Sequence, residues 1–479
     1  MLSPSRRGRP RASSRPSDVS AAGLRAATEK MRADGQPAEA VRTFERAYAA
    51  LEAGASGTLP DAEIEPVDEV LAAADLPRLD PAAALDRVAI VKLNGGLGTS
   101  MGMTRAKSLV EARDGLSFLD VIARHTLALR ARHGVRLPLV LMNSYRTRAD
   151  SLAALARYPD LPADVPPDFL QHREPRIRAD DLRPVEWPSD PELEWCPPGH
   201  GDLYPALRSS GLLAALLERC YEYGFVSNAD NLGAVPDPHL AAWCAAEGVP
   251  FAMEVVAGTE ADRKGGHIAR RIADGRLVLR ETAQADDPES FRDFRRWRFY
   301  NSNNLWVGLR ALRDLLDAGD GVVDLPLIVN RKRVDPSVPD SPEVVQLETA
   351  MGAAIGAFDG ARAIEVPRTR FAPVKTTDDL LVLRSDVYRL GADARVERTR
   401  DDEPFVDLDR AHFGTLAAFD AHFPAGPPSL AACDRFVVRG DVTFGARVVA
   451  RGDVEIEARA GETLCIPDRA VLAGRRVDV

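Results

Sequence analysis

The sequence predicts an α/β protein: a mixed, mostly parallel sheet covered by helices, followed by a smaller parallel β-helix. Three observations carry this expectation. From Val88 onward, short β-branched runs alternate with helical stretches, the pattern of strand–helix–strand units. The first run, Val88 to Val91, flows straight into a glycine-rich loop, Asn94 to Gly102, and the loop closes on Lys107. Near the carboxyl end, Phe436, Val442, Val448 and Val454 recur six apart, and so do Val438, Phe444, Ala450 and Ile456. A six-residue period punctuated by Gly-Asp pairs is the repeat of a parallel β-helix.

The elements follow in order. Residues 1–20 are rich in Ser, Pro and Arg with no apolar stretch, so they read as a disordered basic tail and not as a secretory leader. Residues 21–85 form an N-terminal helical segment. Leu24, Met31 and Ala38, then Phe44, Tyr48 and Leu51, recur at helical spacing before a Pro- and Asp-punctuated stretch. Residues 86–385 form the main domain, with strands expected at 88–92, 137–142, 223–227, 251–256, 277–281 and 304–307. Residues 159–198, proline-rich and acidic, read as an insertion bordering a site. Residues 386–430 read as a linker and 431–479 as the short β-helix, a stacking surface suited to self-association.

Composition narrows the function. A net charge of −10 over 479 residues argues against nucleic acid as the main partner. No apolar run is long enough to span a bilayer, so no membrane partner is expected. Five scattered cysteines fit reduced thiols, hence a cytoplasmic protein.

The glycine loop narrowly misses both common phosphate loops. Ala106 stands where a P-loop needs its second glycine, and Met101 where a dinucleotide fingerprint needs its third. Gly95, Gly96 and Gly98 still let the backbone approach a ligand closely. Of 62 Lys and Arg residues only six are lysine: Lys30, Lys92, Lys107, Lys264, Lys332 and Lys375. A lysine kept in so arginine-rich a chain marks a place suited to a compact point charge beside a phosphate. Lys92 and Lys107 bracket the loop.

Three polar clusters lie further on. Pro197 to Asp202 is a glycine-flanked turn carrying His200. Phe225 to Gly233 is an apolar run ending in Asn228, Asp230 and Asn231. Asp230 suits a Mg²⁺ ion shared with substrate phosphates, and equally suits the cap of the next helix. Phe299 to Trp306 carries three asparagines at a strand start, amides that suit a polyhydroxylated ligand. No serine elbow, zinc-binding helix or reactive-cysteine setting is present. The inventory is that of phosphoryl or nucleotidyl transfer, where the protein positions substrates and spreads charge.

Taken together, Lys92 to Gly102, Lys107 to Leu109, Leu141 to Ser144, Pro197 to Asp202, Ser227 to Ala234, Lys264 to Gly266, Asn301 to Trp306, Val345 to Ala350 and Val366 to Leu381 resemble the eukaryotic-type UTP–glucose-1-phosphate uridylyltransferases. The resemblance implies a Rossmann-like nucleotide-diphospho-sugar transferase core and a left-handed C-terminal β-helix. It implies that Leu93, Asn94, Gly95 and Gly96 hold UTP through backbone groups, and that Met142, Gln171 and Gly199 frame the uracil. His200, Asn228, Gly266 and Asn303 would face the sugar phosphate, with Asn301 and Glu281 nearby. Asp230 would hold Mg²⁺, Lys107 would neutralise the leaving pyrophosphate and Lys375 would bind the phosphates at the reacting centre. The implied reaction joins UTP and glucose 1-phosphate into UDP-glucose and pyrophosphate. Two readings stand beside it: a UDP-sugar pyrophosphorylase for another sugar, and a non-catalytic nucleotide-sugar sensor. The chain departs from the family pattern at Thr104-Arg105-Ala106, where Lys-Gly-Pro is usual, and at His267, next to the implied sugar.

Overall fold

The computed structural model describes residues 16–474, apart from Ser56, Arg78 and Lys264. The expected tail therefore lies outside the described residues up to position 15, and the first helix, α1 (Pro16–Ala33), already begins within it. With α2 (Ala38–Glu52) it forms a helical hairpin. Ala27, Met31, Phe44 and Tyr48 pack against Ile177, Leu327, Val345 and Leu347 of a three-stranded antiparallel sheet.

The central sheet is built from β1 (Leu71–Ala72), β2 (Val88–Asn94), β3 (Leu139–Asn143), β4 (Asp168–Leu170), β5 (Tyr223–Asn228), β6 (Phe251–Ala257), β7 (Phe299–Gly308) and β8 (Arg362–Glu365). Its spatial order is β1-β8-β6-β7-β5-β2-β3-β4. Neighbours run parallel except at β7, which is antiparallel to both β5 and β6. The fold is thus mixed α/β with a mostly parallel central sheet.

Alternation explains why both faces are covered. In β2, Val88 and Ile90 join one apolar cluster while Ala89 and Val91 join the other. Helices α3 (Phe118–His133) and α4 (Pro238–Glu247) supply the first face, through residues such as Phe118, Leu119 and Leu240. The helices Leu203–Ser209, Leu212–Glu218 and Leu309–Ala318 supply the second. Strands buried on both sides read as unbroken apolar runs, which is why β2, β3, β5 and β6 are plain in the sequence.

Four expectations need correction. The run at 277–281 is a strand, Leu277–Arg280, but it belongs to a side hairpin with His267–Arg271, off the main path. The asparagine cluster does not start a strand. It sits inside the ten-residue β7, where the pairing with β6 slips between Glu254 and Val255. The stretch 159–198 is not all insertion, because β4 closes the edge of the main sheet. Nor is 386–430 a linker. It holds the hairpin Tyr388–Leu390 with Val396–Arg398, the strand β9 (Phe405–Leu408) and two short helices, Arg410–Phe413 and Leu416–His422. Phe413, Phe419 and Phe423 are buried in the same apolar cluster as β2.

The C-terminal strands are β10 (Ser429–Arg439), β11 (Asp441–Phe444), β12 (Val449–Glu457), β13 (Thr463–Ile466) and β14 (Val471–Gly474). Strands β9, β10, β12 and β14 form one parallel sheet, and β11 with β13 form another. All eight residues of the two six-residue rows are buried.

His267 lies in the side hairpin and is fully buried among aromatic rings. It is stacked on Trp297 with ring centroids 4.5 Å apart. Burial holds it neutral and pulls its pKa from 6.5 down to about 3. The unfolded chain takes up a proton below about 6.5 that the folded chain refuses, so folding stability falls as pH drops from about 6.5 toward 3. In His267→Phe, the slope of unfolding free energy against pH over that window is expected to flatten by up to about 1.4 kcal/mol per pH unit. Urea denaturation at pH 7, 6 and 5 reads this; an unchanged slope would contradict it.

Candidate active site

The strands β2, β3 and β5 end together, and their carboxyl tips carry the site, as open α/β sheets require. Asn94 anchors the glycine loop with its side chain: Nδ2 donates to Asn143 Oδ1 and to Ser151 Oγ, each at 2.7 Å, and Ser108 Oγ donates to Asn94 Oδ1. Ser144 Oγ donates to the Gly95 carbonyl, 3.1 Å, and the Lys107 N–H donates to the Gly96 carbonyl, 3.0 Å.

Two glycines answer to different needs. A Cβ on Gly95 would stand 2.6 Å from Gln171 Oε1, so Gln171 lies directly over the loop. A Cβ on Gly96 would meet no protein atom within 4 Å and would fill open space at the rim of a cavity. That cavity, about 290 Å³, is lined by Leu93, Asn94, Gly95, Gly96, Lys107, Ser108, Gln171, Pro197, Gly199, His200, Asn228, Ala229 and Asp230. Ten of the residues expected at the site therefore surround one space.

Lys107 and Asp230 meet on its wall, Nζ to Oδ2 at 2.7 Å. The second oxygen, Asp230 Oδ1, is buried and has no hydrogen-bond partner. A buried carboxylate oxygen left bare is costly unless a cation or donor arrives. One carboxylate beside space for phosphates is the donor set Mg²⁺ takes, so Asp230 fits that ion. Asp230 is not a helix cap: its residue lies in the turn after β5, and the next helix is capped by Asp237.

Gly199 has φ +80°, and a Cβ there would meet Thr349 O at 2.5 Å, so only glycine lets this turn close on the strand behind it. The Met351 N–H donates to His200 Nδ1 at 2.9 Å. The hydrogen bond places the proton on Nε2, and crowding by surrounding protein lowers the pKa to about 4. His200 is therefore a neutral donor at the cavity rim. Asp202 turns inward and accepts from the His172 N–H at 2.6 Å.

A second cluster adjoins the first. Asn301 N–H donates to the Gly266 carbonyl, 2.9 Å, and Asn301 Nδ2 donates to Asn303 Oδ1, 2.9 Å. Asn303 adopts φ +58°, a left-handed conformation that asparagine tolerates better than most residues. A Cβ on Gly266 would stand 2.7 Å from both oxygens of Glu281, so the Glu281 carboxylate lies directly over this glycine. Burial raises the Glu281 pKa, while the nearby Lys375 charge lowers it. Lys375 is brought in by its backbone: the Val374 N–H donates to the Asp230 carbonyl, 3.1 Å, and Ala372 N–H donates to Asn231 Oδ1, 3.0 Å.

Two residues depart from their expected places. Met142 pairs with Leu93 in register, but its side chain is enclosed in the core and does not line the cavity. Lys92 is not a loop-bracketing phosphate ligand. It is buried behind β5, where Nζ donates to Ser227 Oγ at 2.7 Å and to the Ala234 carbonyl at 2.8 Å. Burial pulls its pKa down to about 7. Lys264 lies outside the described residues.

Sequence reasoning missed the buried network beneath the site. Arg370 Nε donates to Glu254 Oε2 at 2.8 Å, and Asn304 Nδ2 and Trp306 Nε1 donate to the same carboxylate at 3.0 Å each. Asn231 Nδ2 donates to the Arg370 carbonyl, 3.1 Å. This network fastens the Asp230 turn to the segment that leads into Lys375. The only signal in the sequence was an acidic residue inside the apolar run of β6.

A glycine loop at the tips of a mostly parallel sheet, a lysine–carboxylate pair over an anion-sized space and amide-rich walls define a nucleotide-binding transferase of the α/β class. Comparison with known proteins supplies the particular family. The family model of UTP–glucose-1-phosphate uridylyltransferase matches residues 41–451. The UTP–glucose-1-phosphate uridylyltransferase of Solanum tuberosum is 40% identical over 426 residues, covering 86% of this chain and 87% of its own. That of Saccharomyces cerevisiae is 38% identical over 395 residues, covering 81% and 77%. A mutant UDP-glucose pyrophosphorylase of Leishmania major, solved in complex with UDP-glucose, superposes with a TM-score of 0.90 at 43% identity, over 95% of this chain and 99% of that one. The UDP-glucose phosphorylase of Trypanosoma brucei gives 0.89 at 39% identity, over 95% and 99%. The chain belongs to the UTP–glucose-1-phosphate uridylyltransferase family.

Proposed function

We propose that this protein makes UDP-glucose and pyrophosphate from UTP and glucose 1-phosphate in one in-line displacement. The observation that carries this most is the Lys107–Asp230 pair on the wall of one glycine-lined space, with the Lys375 segment hydrogen-bonded to the Asp230 turn, in a chain of this family. In this reading the backbone of Leu93 to Gly96 holds the nucleotide, and Gln171 and Gly199 frame the base. Met142 supports that wall from behind. His200, through Nε2–H, and Asn228, Gly266, Asn301 and Asn303 receive the sugar phosphate, with Glu281 at the sugar side.

A phosphate oxygen of glucose 1-phosphate attacks the α-phosphorus of UTP, and the bond to the β-phosphate oxygen breaks. The attacking phosphate is already ionised, so no general base is needed. Lys107 swings from Asp230 to the departing pyrophosphate. Lys375 stabilises charge on the reacting phosphoryl group, where a fixed cation is most effective. Asp230 would hold Mg²⁺ through Oδ1, and the ion would neutralise phosphate charge.

We also read the two C-terminal parallel sheets as faces of a left-handed β-helix that offers a stacking surface for self-association. Five free cysteines fit a cytoplasmic setting. No helix among the described residues is long and apolar enough to cross a membrane.

Pyrophosphate release measured over UTP, ATP, CTP and GTP, each against glucose, galactose and N-acetylglucosamine 1-phosphates, tests the substrate assignment. The expected result is turnover with UTP and glucose 1-phosphate far above every other pair. Faster turnover with another sugar would reassign the sugar, and no turnover with any pair would sink the enzyme reading.

A further inference from the structure

Outside the lining of the cavity, three side chains from separate segments converge at the base of the C-terminal sheets. They are His412 in the helix Arg410–Phe413, His422 at the end of the helix Leu416–His422, and Asp441 at the start of β11. One ligand atom of each lies within 4.8 Å of the others, and all three residues are partly exposed. Among the described residues no other group of three His, Cys, Asp or Glu meets that spacing.

The hydrogen bonds around the group fix its chemistry. His422 Nδ1 lies 2.7 Å from the Ala418 carbonyl, which can only accept, so Nδ1 carries a proton. His422 Nε2 then faces Asp441 Oδ1 at 3.0 Å. A lone pair facing a carboxylate at that distance calls for a cation between or beside them: a second proton, or a metal. The imidazole of His412, with its ring centroid 6.2 Å from that of His422, supplies a third ligand. The other Asp441 oxygen accepts from Thr463 Oγ1 at 2.6 Å. A ligand histidine oriented by a backbone carbonyl and a ligand carboxylate oriented by a hydroxyl are the supporting contacts that metal sites use.

We propose that His412, His422 and Asp441 form a binding site for a divalent transition metal of the zinc class, with an open position for water. Ligand atoms about 2.0–2.2 Å from a tetrahedral ion stand about 3.3 Å apart, close to the 3.0 Å between His422 and Asp441. His412, at the surface, closes the remaining gap by rotation. Two imidazoles and one carboxylate select zinc, cobalt or nickel over magnesium. The site also has a structural reach. Thr415, in the turn between the two helices, packs on the glycine loop, where a Cβ on Gly102 would stand 2.9 Å from its Cγ2. A bound metal would lock the helix pair that backs the nucleotide loop.

The test uses the full chain stripped of metal and titrated with Co²⁺ and then Zn²⁺. The expected result is one equivalent of Co²⁺ giving visible ligand-field bands of a four-coordinate ion, displaced by one equivalent of Zn²⁺. The melting temperature should rise with Zn²⁺. In His412→Gln/His422→Gln the bands and the thermal shift should vanish, while the far-ultraviolet dichroism and the melting temperature without metal stay as in the parent. Equal Co²⁺ spectra and stoichiometry in parent and double variant would overturn the proposal. So would an absence of bands at millimolar Co²⁺.

Discussion

Replacing Lys375 by methionine is expected to lower kcat by about 10² to 10³ while UTP still binds within a few-fold of its parent affinity. The size is that of removing one fixed electrostatic donor from a transition state, roughly 3–4 kcal/mol. The split between kcat and binding follows from position. Lys375 is held where its segment meets the Asp230 turn, through Val374 and Ala372, while the proposed function rests UTP mainly on the glycine loop some 280 residues earlier in the chain. Methionine keeps the length and apolar stem of the side chain and removes only the charge. Steady-state rates with calorimetric UTP binding read the outcome. Near-normal turnover would contradict the role assigned to Lys375.

The second large effect lies beneath the site. Arg370→Met leaves the Glu254 carboxylate fully buried with its charge partner gone. Breaking a buried ion pair from one side costs about 3–5 kcal/mol, because the remaining charge is neither solvated nor paired. Replacing both partners, as in Glu254→Leu/Arg370→Met, removes the orphan charge and should recover much of that stability. Turnover should not recover with it, because Asn304 and Trp306 lose their common acceptor and the Asp230–Lys375 junction loosens. Urea unfolding of the single and double variants, paired with kcat, separates the two outcomes. A double variant as active as the parent would show that the network only holds the fold.

What could be read from the sequence was local. An apolar β-branched run followed by glycines announces a strand and its loop within fifteen residues, and β2 lies where that pattern places it. Asp230 declares itself as a polar residue just past the end of a buried strand, and the asparagines of β7 as polar residues within one. The C-terminal rows kept their six-residue period and are buried as that period requires. What was hidden depends on partners far along the chain. Glu254 and Arg370 are 116 residues apart, and neither residue alone announces an ion pair. The bulge that turns Asn303 outward exists only in the register between β6 and β7. The stretch 386–430 looked like a linker because its helices are single turns or little more. Its three buried phenylalanines, spaced six and four apart, were the signal passed over. Met142 and Lys92 were misplaced for one reason: both sit inside their strands, short of the carboxyl tips where the cavity opens.

The central claim is that the uridylyl group passes directly from UTP to the sugar phosphate, with no covalent enzyme intermediate. Exchange of labelled pyrophosphate into UTP tests this most directly. The account predicts no label in UTP when the protein is incubated with UTP, Mg²⁺ and labelled pyrophosphate alone, and rapid labelling once UDP-glucose is added. Labelling without any sugar compound would reveal a uridylyl-enzyme and contradict the account, as would no labelling under either condition.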